Sequence, residues 1–346
     1  MRLISWLAAG GVAGWGAARL TGADRIRSVE APTAPLLSFT PHVTGAALLG
    51  SVLLRRKGAA ATAALTGAAL TAVVLPRALK RPQPRADGPL LRVLTANLLA
   101  GRAAEETLVS LVRQMDVDVL FLQELTETAV TRLKQAGLND LLPHEVTDVR
   151  GASASGSGIY ARLPLTDGLQ ITSPSMAQPT ARIELGDGQC ADLVCVHAHP
   201  PNPPRRAKVA RWRKELADLP APADPPRVLA GDFNATEDHA HFRRLLRLGH
   251  VDAAAEMGNG LIPTWGPVGA PALLTLDHVL IDPRCGGRPP RCTRCRAVII
   301  ARSTRSSGCP ADQRYRIRRK NERISSTNAS GRSKAAKWPP LPSSCQ

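Results

Sequence analysis

The chain has 346 residues, of which 44% are hydrophobic. That composition suits one large domain of about 200–250 residues with appendages, and it excludes a chain that is disordered throughout. The net charge of +17 is typical of nucleic-acid binding, but residues 285–346 alone contribute +13 of it. Residues 1–284 carry only +4, so the basic character belongs to the C-terminal segment and not to the main domain.

The first 76 residues contain three uncharged apolar stretches, and they predict a membrane region with about three transmembrane helices. The stretches are residues 3–18, 31–54 and 58–76. A membrane span needs about 20 apolar residues, so the second stretch fits best. A signal peptide is the alternative for the first stretch, and a soluble alanine-rich helix is the alternative for the third. The predicted partner of this region is the lipid bilayer.

The charges around these stretches predict how the chain is inserted. Arg55, Arg56 and Lys57 form the densest short basic loop and are expected to face the cytoplasm. The chain would then be a multi-pass protein of the cell membrane, with the following domain on the extracellular side. The basic residues that follow the third stretch argue for the opposite orientation. Residues 77–89 are rich in proline and are predicted to be a stiff linker.

From residue 90 the pattern changes to alternating strands and helices, followed by a different C-terminal part. Several predicted strands are apolar runs that end in polar residues: 91–97, 117–122, 193–196, 228–230 and 279–281. Cys190 and Cys195 belong to such a pattern and are predicted to be core thiols, whereas Cys292 and Cys295 lack the second ligand pair of a zinc site. After residue 282, residues 296–302 are the one run that can form a strand.

The polar residues at the strand ends predict a phosphoesterase site that uses a divalent metal. Glu124, directly after a buried strand, is the best ligand for a hard cation, because such ions are held by one or two carboxylates and keep water and phosphate oxygens as other ligands. Asp232 and Asn234 follow another strand in a Gly-Asp-Phe-Asn turn and can orient water and bind a phosphoryl oxygen. His197 can donate to a non-bridging oxygen, and Asp277 can orient an imidazole.

These segments resemble the endonuclease/exonuclease/phosphatase family, the DNase I-like superfamily, over about residues 90–282, in a membrane-anchored bacterial form. The matching segments are Thr-Ala-Asn-Leu (95–98), Leu-Gln-Glu-Leu (122–125), Gly-Ser-Gly-Ile-Tyr-Ala-Arg-Leu-Pro (156–164), Val-His-Ala-His-Pro (196–200), Gly-Asp-Phe-Asn-Ala-Thr (231–236) and Leu-Asp-His-Val-Leu-Ile-Asp (276–282).

The resemblance implies an α/β fold, a four-layer α/β sandwich in which two packed sheets are flanked by helices. Asn97 and Glu124 would contact the metal, Mg²⁺ by default, although Mn²⁺ satisfies the same ligands. Among the catalytic residues, His197 would contact the scissile phosphate, Asp232 the attacking water and Asn234 the transition state. Asp277 would orient a closing histidine. The substrate would be a phosphoester, either nucleic acid, a phospholipid head group or a small phosphoester, and no obligate protein partner is evident.

The chain departs from the family at its C-terminal end. The closing histidine of the family belongs to a Ser-Asp-His segment that precedes a final strand, and here Thr293, Arg294 and Cys295 are expected at that position. The domain is therefore assigned to residues 90–302, and residues 303–346 to a basic tail, which is disordered or the product of a shifted reading frame. The alternative function is a catalytically defective membrane protein whose tail binds polyanions.

Overall fold

The structure is a computed structural model. It describes residues 2–82, residues 90–282 except 172, 174, 187, 203, 268 and 269, and the backbone of 294–299. The predictions about most of the linker, about the Cys292 and Cys295 thiols, about Thr293 and about residues 303–346 lie outside the described residues. All described elements belong to one unit, Met1–Ser306.

The described strands form two sheets. The strands are β1 (Leu90–Asn97), β2 (Val119–Gln123), β3 (His144–Asp148), β4 (Ser157–Ala161), β5 (Leu165–Asp167), β6 (Thr180–Gly186), β7 (Gln189–His197), β8 (Arg227–Asp232), β9 (Val251–Asp252), β10 (Asp277–Ile281) and β11 (Arg294–Ile299). The first sheet has five strands in the order β11-β1-β2-β4-β3, and the second has six in the order β5-β6-β7-β8-β10-β9.

Helices cover the outer faces of the sheets and form the N-terminal region. They are α1 (Arg2–Thr21), α2 (Glu30–Leu37), α3 (Thr40–Leu53), α4 (Lys57–Val74), α5 (Glu105–Gln114), α6 (Glu127–Gln135), α7 (Leu138–Leu141), α8 (Arg206–Asp218), α9 (Ala240–Arg247) and α10 (Ala253–Glu256). Short 3₁₀ turns lie at Ala23–Arg25 and Leu75–Ala78.

Side-chain alternation along the strands builds the four layers. In β1, Leu91 and Val93 point to a central cluster that they share with residues of the second sheet such as Leu193 and Val279. Leu94 points the other way and packs under α5 and α6 with residues such as Leu108. This two-residue period puts one face of each strand between the sheets and the other face under helices. The predicted α/β fold, two packed sheets flanked by helices, is therefore confirmed.

The second apolar stretch, residues 31–54, is not one straight helix. It is divided between α2 and α3, which are bent by 74° relative to each other. Pro35 lies inside α2 and Pro41 is the second residue of α3, and proline removes the backbone donor that a continuous helix needs. Ala31 and Ala34 pack in the cluster that also contains Trp212 and Phe242 of the outer helices. α2 therefore covers the second sheet, and a membrane span over residues 31–54 stays a prediction.

Among the described residues, one helix is long and apolar enough to cross a membrane. It extends from Lys57 to Ala78, 22 residues with a mean hydropathy of 1.7, and the bent pair of α2 and α3 passes the same test only when taken together. Length and composition alone do not separate a membrane span from the core helix of a soluble protein. The three-helix membrane region therefore stays a prediction.

The direction of the last described strand, β11, determines where the segment expected in place of Ser-Asp-His lies. β11 is parallel to β1, with Arg294 beside Leu90 and Ile299 beside Thr95. The backbone of Cys295 thus lies beside Leu91, about 20 Å along the strand from Asn97 at a rise of about 3.3 Å per residue. The segment that contains Arg294 and Cys295 does not reach the edge of the sheet where Asn97 lies, so its expected equivalence with Ser-Asp-His was wrong.

Candidate active site

Strand register brings most of the predicted residues to one edge of the two sheets. In the second sheet, Asp232 of β8 lies beside His197 of the parallel strand β7 and opposite Asp277 of the antiparallel strand β10. All three side chains are buried. In the first sheet, Asn97 ends β1 beside Gln123, the residue before Glu124. Carboxyl ends of parallel strands are where α/β proteins place their ligand sites, and here two such edges meet.

Asn97 connects the two sheets. Its side-chain nitrogen Nδ2 donates to Glu124 Oε1 at 3.0 Å and to Asp232 Oδ2 at 3.1 Å, while its oxygen Oδ1 accepts from the Leu99 amide at 2.9 Å. The two carboxylates therefore converge on one amide group that is 3% exposed. In a buried position like this one, charge-assisted hydrogen bonds have well-defined geometry.

Glu124 owes its orientation to an unusual backbone conformation. Its φ angle is 55°, in the left-handed region that non-glycine residues rarely adopt. Leu99 and Ala100, in the loop that faces it, also have positive φ angles. The Ala100 amide donates to Glu124 Oε2 at 2.6 Å, so this strained loop holds the carboxylate from one side while Asn97 holds it from the other.

The Gly-Asp-Phe-Asn turn, residues 231–234, is held by several hydrogen bonds. The Asn234 amide donates to Asp232 Oδ1 at 2.8 Å, and Asn234 Nδ2 donates to the carbonyl of Ala198 at 2.9 Å. Trp212 Nε1 donates to the Phe233 carbonyl at 3.3 Å. The side-chain nitrogen Nδ2 carries two hydrogens, so Asn234 retains a second side-chain N–H that can bind an oxygen of a ligand.

The oxygen ligands at this edge fit a hard divalent cation better than a soft metal. Two carboxylates and an amide converge there, and oxygen ligands of this kind suit Mg²⁺ or Mn²⁺ when the ion keeps several waters. Within the described part of the chain, no group of three or more His, Cys, Asp or Glu residues forms a metal cage. The residues present therefore fit an ion that is held partly by protein and partly by water or substrate.

His199, the second histidine after β7, is fixed by its backbone. The His199 amide donates to Glu215 Oε2 at 2.6 Å, and burial lowers the pKa of its imidazole although the nearby Glu215 opposes that shift. The ring is therefore predominantly neutral at pH 7. His197, two residues earlier, is buried at the end of β7, where strand register places it beside Asp232.

The sequence did not reveal a buried pair beneath the site. His278 Nδ1 lies 2.6 Å from Asp252 Oδ2, and His278 Nε2 lies 2.8 Å from the carbonyl of Ala235. Thr264 Oγ1 accepts from the amides of Leu276 and Asp277 at 3.0 and 3.1 Å. These contacts hold the start of β10 and the residue after the Gly-Asp-Phe-Asn turn. The one signal was that His278 directly follows Asp277, because Asp252 and Thr264 belong to no recognisable motif.

Comparison with known proteins defines the class. The model of the Endonuclease/Exonuclease/phosphatase family matches residues 94–298, more than half of the chain. The chain belongs to this family, whose members are metal-dependent phosphoester hydrolases. No curated protein matches the sequence.

Solved structures that are similar to this chain come from several organisms. An endonuclease/exonuclease/phosphatase from Beutenbergia cavernae is 16% identical and covers 56% of this chain, with a TM-score of 0.43. This chain spans 64% of that protein, which is less than two thirds of its length. A humanized TDP2 from D. rerio is 21% identical over 55% of this chain and 82% of its own, with a TM-score of 0.44. Sphingomyelinase C from Streptomyces griseocarneus is 18% identical over 57% and 85%, with a TM-score of 0.41.

Proposed function

We propose that this chain is a magnesium-dependent phosphodiester hydrolase that its N-terminal helices attach to the cell membrane. The observation that carries the proposal is the position of Asn97, whose single amide nitrogen binds Glu124 in one sheet edge and Asp232 in the other. Carboxylates held this close are unfavourable without a counter-charge, and a divalent cation supplies one.

Some side chains of the site bind the metal and the phosphate, and others activate the attacking water. Glu124 and Asn97 hold the metal, which when bound would stabilise negative charge on the phosphate. Asp232 accepts a hydrogen bond from the attacking water and orients it towards phosphorus. Asn234, with its remaining N–H, and His197 donate to phosphoryl oxygens, on which charge accumulates in the transition state. Asp277 orients a neighbouring donor. Mn²⁺ would satisfy the same ligands as Mg²⁺.

The membrane part of the proposal is supported by apolar side chains on the N-terminal helices. On α3, Leu49, Val52 and Leu53 are exposed, and on α4 Leu65 is 74% exposed. Helices that project such side chains into water are better solvated by lipid. We place the enzyme in the cell membrane with its catalytic domain outside. A phospholipid head group or a soluble phosphoester suits the near-neutral domain better than a long nucleic acid does, since nucleic-acid binding depends on positive charge.

The alternative, a catalytically defective membrane protein with a polyanion-binding tail, is favoured by one observation. All eight histidines of the chain occur at or before His278, so no residue after it can supply the family's closing imidazole. Loss of a general acid or base lowers the rate by about 10²–10⁴-fold. Translation of the gene past codon 282 in another frame tests this alternative, because a Ser-Asp-His followed by an apolar strand there would identify the present tail as a frame-shift product.

The test of the hydrolase uses the full chain in detergent. Turnover of bis(p-nitrophenyl) phosphate is measured with Mg²⁺, with Mn²⁺ and with chelator, beside Asp232→Asn and Glu124→Gln. We expect metal-dependent turnover that falls by about 10²–10⁴-fold in both variants. Asp218→Asn is the matched control, because Asp218 is an exposed carboxylate that pairs with Lys214. A folded chain without turnover would reject the hydrolase and leave the alternative.

A further inference from the structure

Asp238 is a buried carboxylate that two arginines of the N-terminal region share. Arg19 Nε lies 2.6 Å from Asp238 Oδ1, while Arg77 Nη1 and Nη2 lie 2.8 and 2.7 Å from Oδ2 and Oδ1. The exposed fractions are 5% for Arg19, 4% for Arg77 and 0% for Asp238. Arg19 belongs to α1 and Arg77 follows α4, so the C-terminal ends of both helices meet at this one carboxylate.

Further contacts from the N-terminal region reach the same segment, residues 236–240, which we call the anchored segment. Asp24 Oδ2 accepts from the Ala240 amide at 2.7 Å. The carbonyl of Ala34 lies 2.6 Å from His239 Nε2, and Arg77 also approaches Glu237 at 3.4 Å. Four N-terminal residues thus hold a short stretch of the catalytic domain, although at least 160 positions separate the two partners of each contact.

The anchored segment continues directly from the Gly-Asp-Phe-Asn turn. The Asp238 amide donates to Thr236 Oγ1 at 3.2 Å, and the Thr236 amide donates to His239 Nδ1 at 2.9 Å. Just before Thr236, the carbonyl of Ala235 is fixed by His278. A displacement of Asp238 would therefore be transmitted through a short, hydrogen-bonded chain to Asn234 and Asp232.

The charge arrangement is better suited to fixing a position than to stabilising the fold. Two guanidinium groups and two carboxylates, those of Asp238 and Glu237, are removed from most of the water, and such desolvation offsets much of their attraction. An apolar contact between the helices and the domain would stabilise the fold by a similar amount. A planar guanidinium that binds both oxygens of a carboxylate, as Arg77 does, fixes direction as well as distance.

We propose that Asp238 is a positioning residue through which Arg19 and Arg77 of the N-terminal helices hold the Gly-Asp-Phe-Asn turn in its catalytic geometry. The effect on turnover rests on the proposed hydrolase function, whereas the anchoring of the segment does not. The N-terminal region is in this sense a part of the active site's support as well as a membrane attachment.

The experiment compares Arg77→Gln, Arg19→Gln and Asp238→Asn in the full chain in detergent. Arg77→Gln removes the two-point contact and is expected to lower kcat by about 100-fold, the effect of a displacement of about 1 Å, while Arg19→Gln leaves that contact and has a smaller effect. The Mg²⁺ concentration for half-maximal rate is expected to rise. A loss of folded protein lowers the maximal rate in a plot of rate against Mg²⁺ concentration but does not move the midpoint of that plot. A shifted midpoint therefore indicates a change in the geometry of the site and not a loss of stability.

The matched control is Glu256→Gln, which breaks an exposed pair with Arg81 that also joins the N-terminal region to the catalytic domain. We expect its kcat and Mg²⁺ midpoint to equal those of the wild type. A folded Arg77→Gln chain with wild-type kcat and midpoint would overturn the proposal. If Asp238→Asn and Arg77→Gln fail to fold, Arg19→Gln decides in the same way, since Asp238 keeps one arginine.

Hydrogen exchange of the peptide that contains residues 231–240 gives a readout without turnover. We expect faster exchange in Arg19→Gln and Arg77→Gln than in Glu256→Gln. Equal exchange in all three would overturn the anchoring. A wild-type chain without turnover would reject the hydrolase alone, because the exchange comparison still tests whether the arginines hold the segment.

Discussion

Gly231 sets how closely the backbone of β8 approaches its neighbours at the site. Its φ angle is 149°, and a Cβ atom added there would lie 1.9 Å from the carbonyl oxygen of Val196 and 3.0 Å from Gln123 Nε2. Val196 is its register partner on β7, while Gln123 comes from the other sheet. A side chain at this position would therefore separate the strands that carry His197 and Asp232.

Gly231→Ala tests this closeness. We expect a loss of about 2–6 kcal/mol in stability, of which about 1–3 comes from overpacking and about 1–3 from the strained backbone. The measurement is the denaturant midpoint of the purified chain. Gly151→Ala is the control, because Gly151 also has a positive φ angle but has open space around it. Similar shifts in the two variants would show that contact with Val196 does not matter.

At the residue scale, the sequence predicted candidate residues that the structure brings together, but it did not predict what holds them. Asn97, Glu124 and Asp232 belong to short motifs at strand ends, and the structure brings all three together. Asp238 and its arginines form no motif, since 219 and 161 residues separate Asp238 from Arg19 and Arg77. Periodicity and propensity describe neighbours along the chain, so contacts between such distant residues are beyond them.

At the scale of elements, α2 shows why apolar composition alone does not determine whether a helix contacts lipid or protein. Residues 31–37 are apolar enough for lipid, but Ala31, Ala34 and Leu37 are buried. Ala31 and Ala34 pack in the protein core over the second sheet. Lipid and protein interior select the same side chains, so the sequence could not decide between them. Polar contacts at both ends of α2 place it against the protein, and they exist only in the folded chain. Glu30 pairs with Arg213, and Ser38 lies near His239.

For α4, we predict that a charge on its exposed face weakens attachment to lipid. Leu65→Asp places a carboxylate near the middle of the apolar helix Lys57–Ala78, where insertion becomes less favourable by about 2.5–3.5 kcal/mol. Flotation with liposomes measures the bound fraction. Leu248→Asp is the control, because Leu248 is an exposed leucine at the end of α9 in the catalytic domain. Equal flotation of the two variants would contradict a role for α4 in membrane attachment.

At the scale of the whole molecule, buried histidines make stability depend on pH. Burial lowers the pKa of His239, which lies under α2, and of His250, which contacts the Pro220 carbonyl, below the ordinary value of 6.5. The unfolded chain therefore binds more protons than the folded chain at a pH below 6.5. Stability from these groups is complete above that pH and decreases as the pH falls through 6.5 towards the folded values.

We expect the unfolding midpoint to decrease as the pH is lowered from 7.5 to 5. Each histidine contributes a slope of at most about 1.4 kcal/mol per pH unit. Thermal unfolding of the full chain in detergent measures the midpoint, and His250→Asn is expected to reduce the slope. A midpoint that stays constant over this range, or a slope that His250→Asn leaves unchanged, would show that these imidazoles are not kept neutral by the fold.

The anchored segment has a consequence for proteolysis. The covalent connection between Ala78 and β1 runs through residues 79–89, yet Arg19, Arg77 and α2 hold the catalytic domain by contacts that do not depend on that connection. A protease that cuts between Arg81 and Leu90 would therefore leave two fragments that stay together. If the N-terminal helices attach the chain to a membrane as proposed, such a cut would not release a soluble enzyme, in contrast to surface proteins that are shed when their stalk is cleaved.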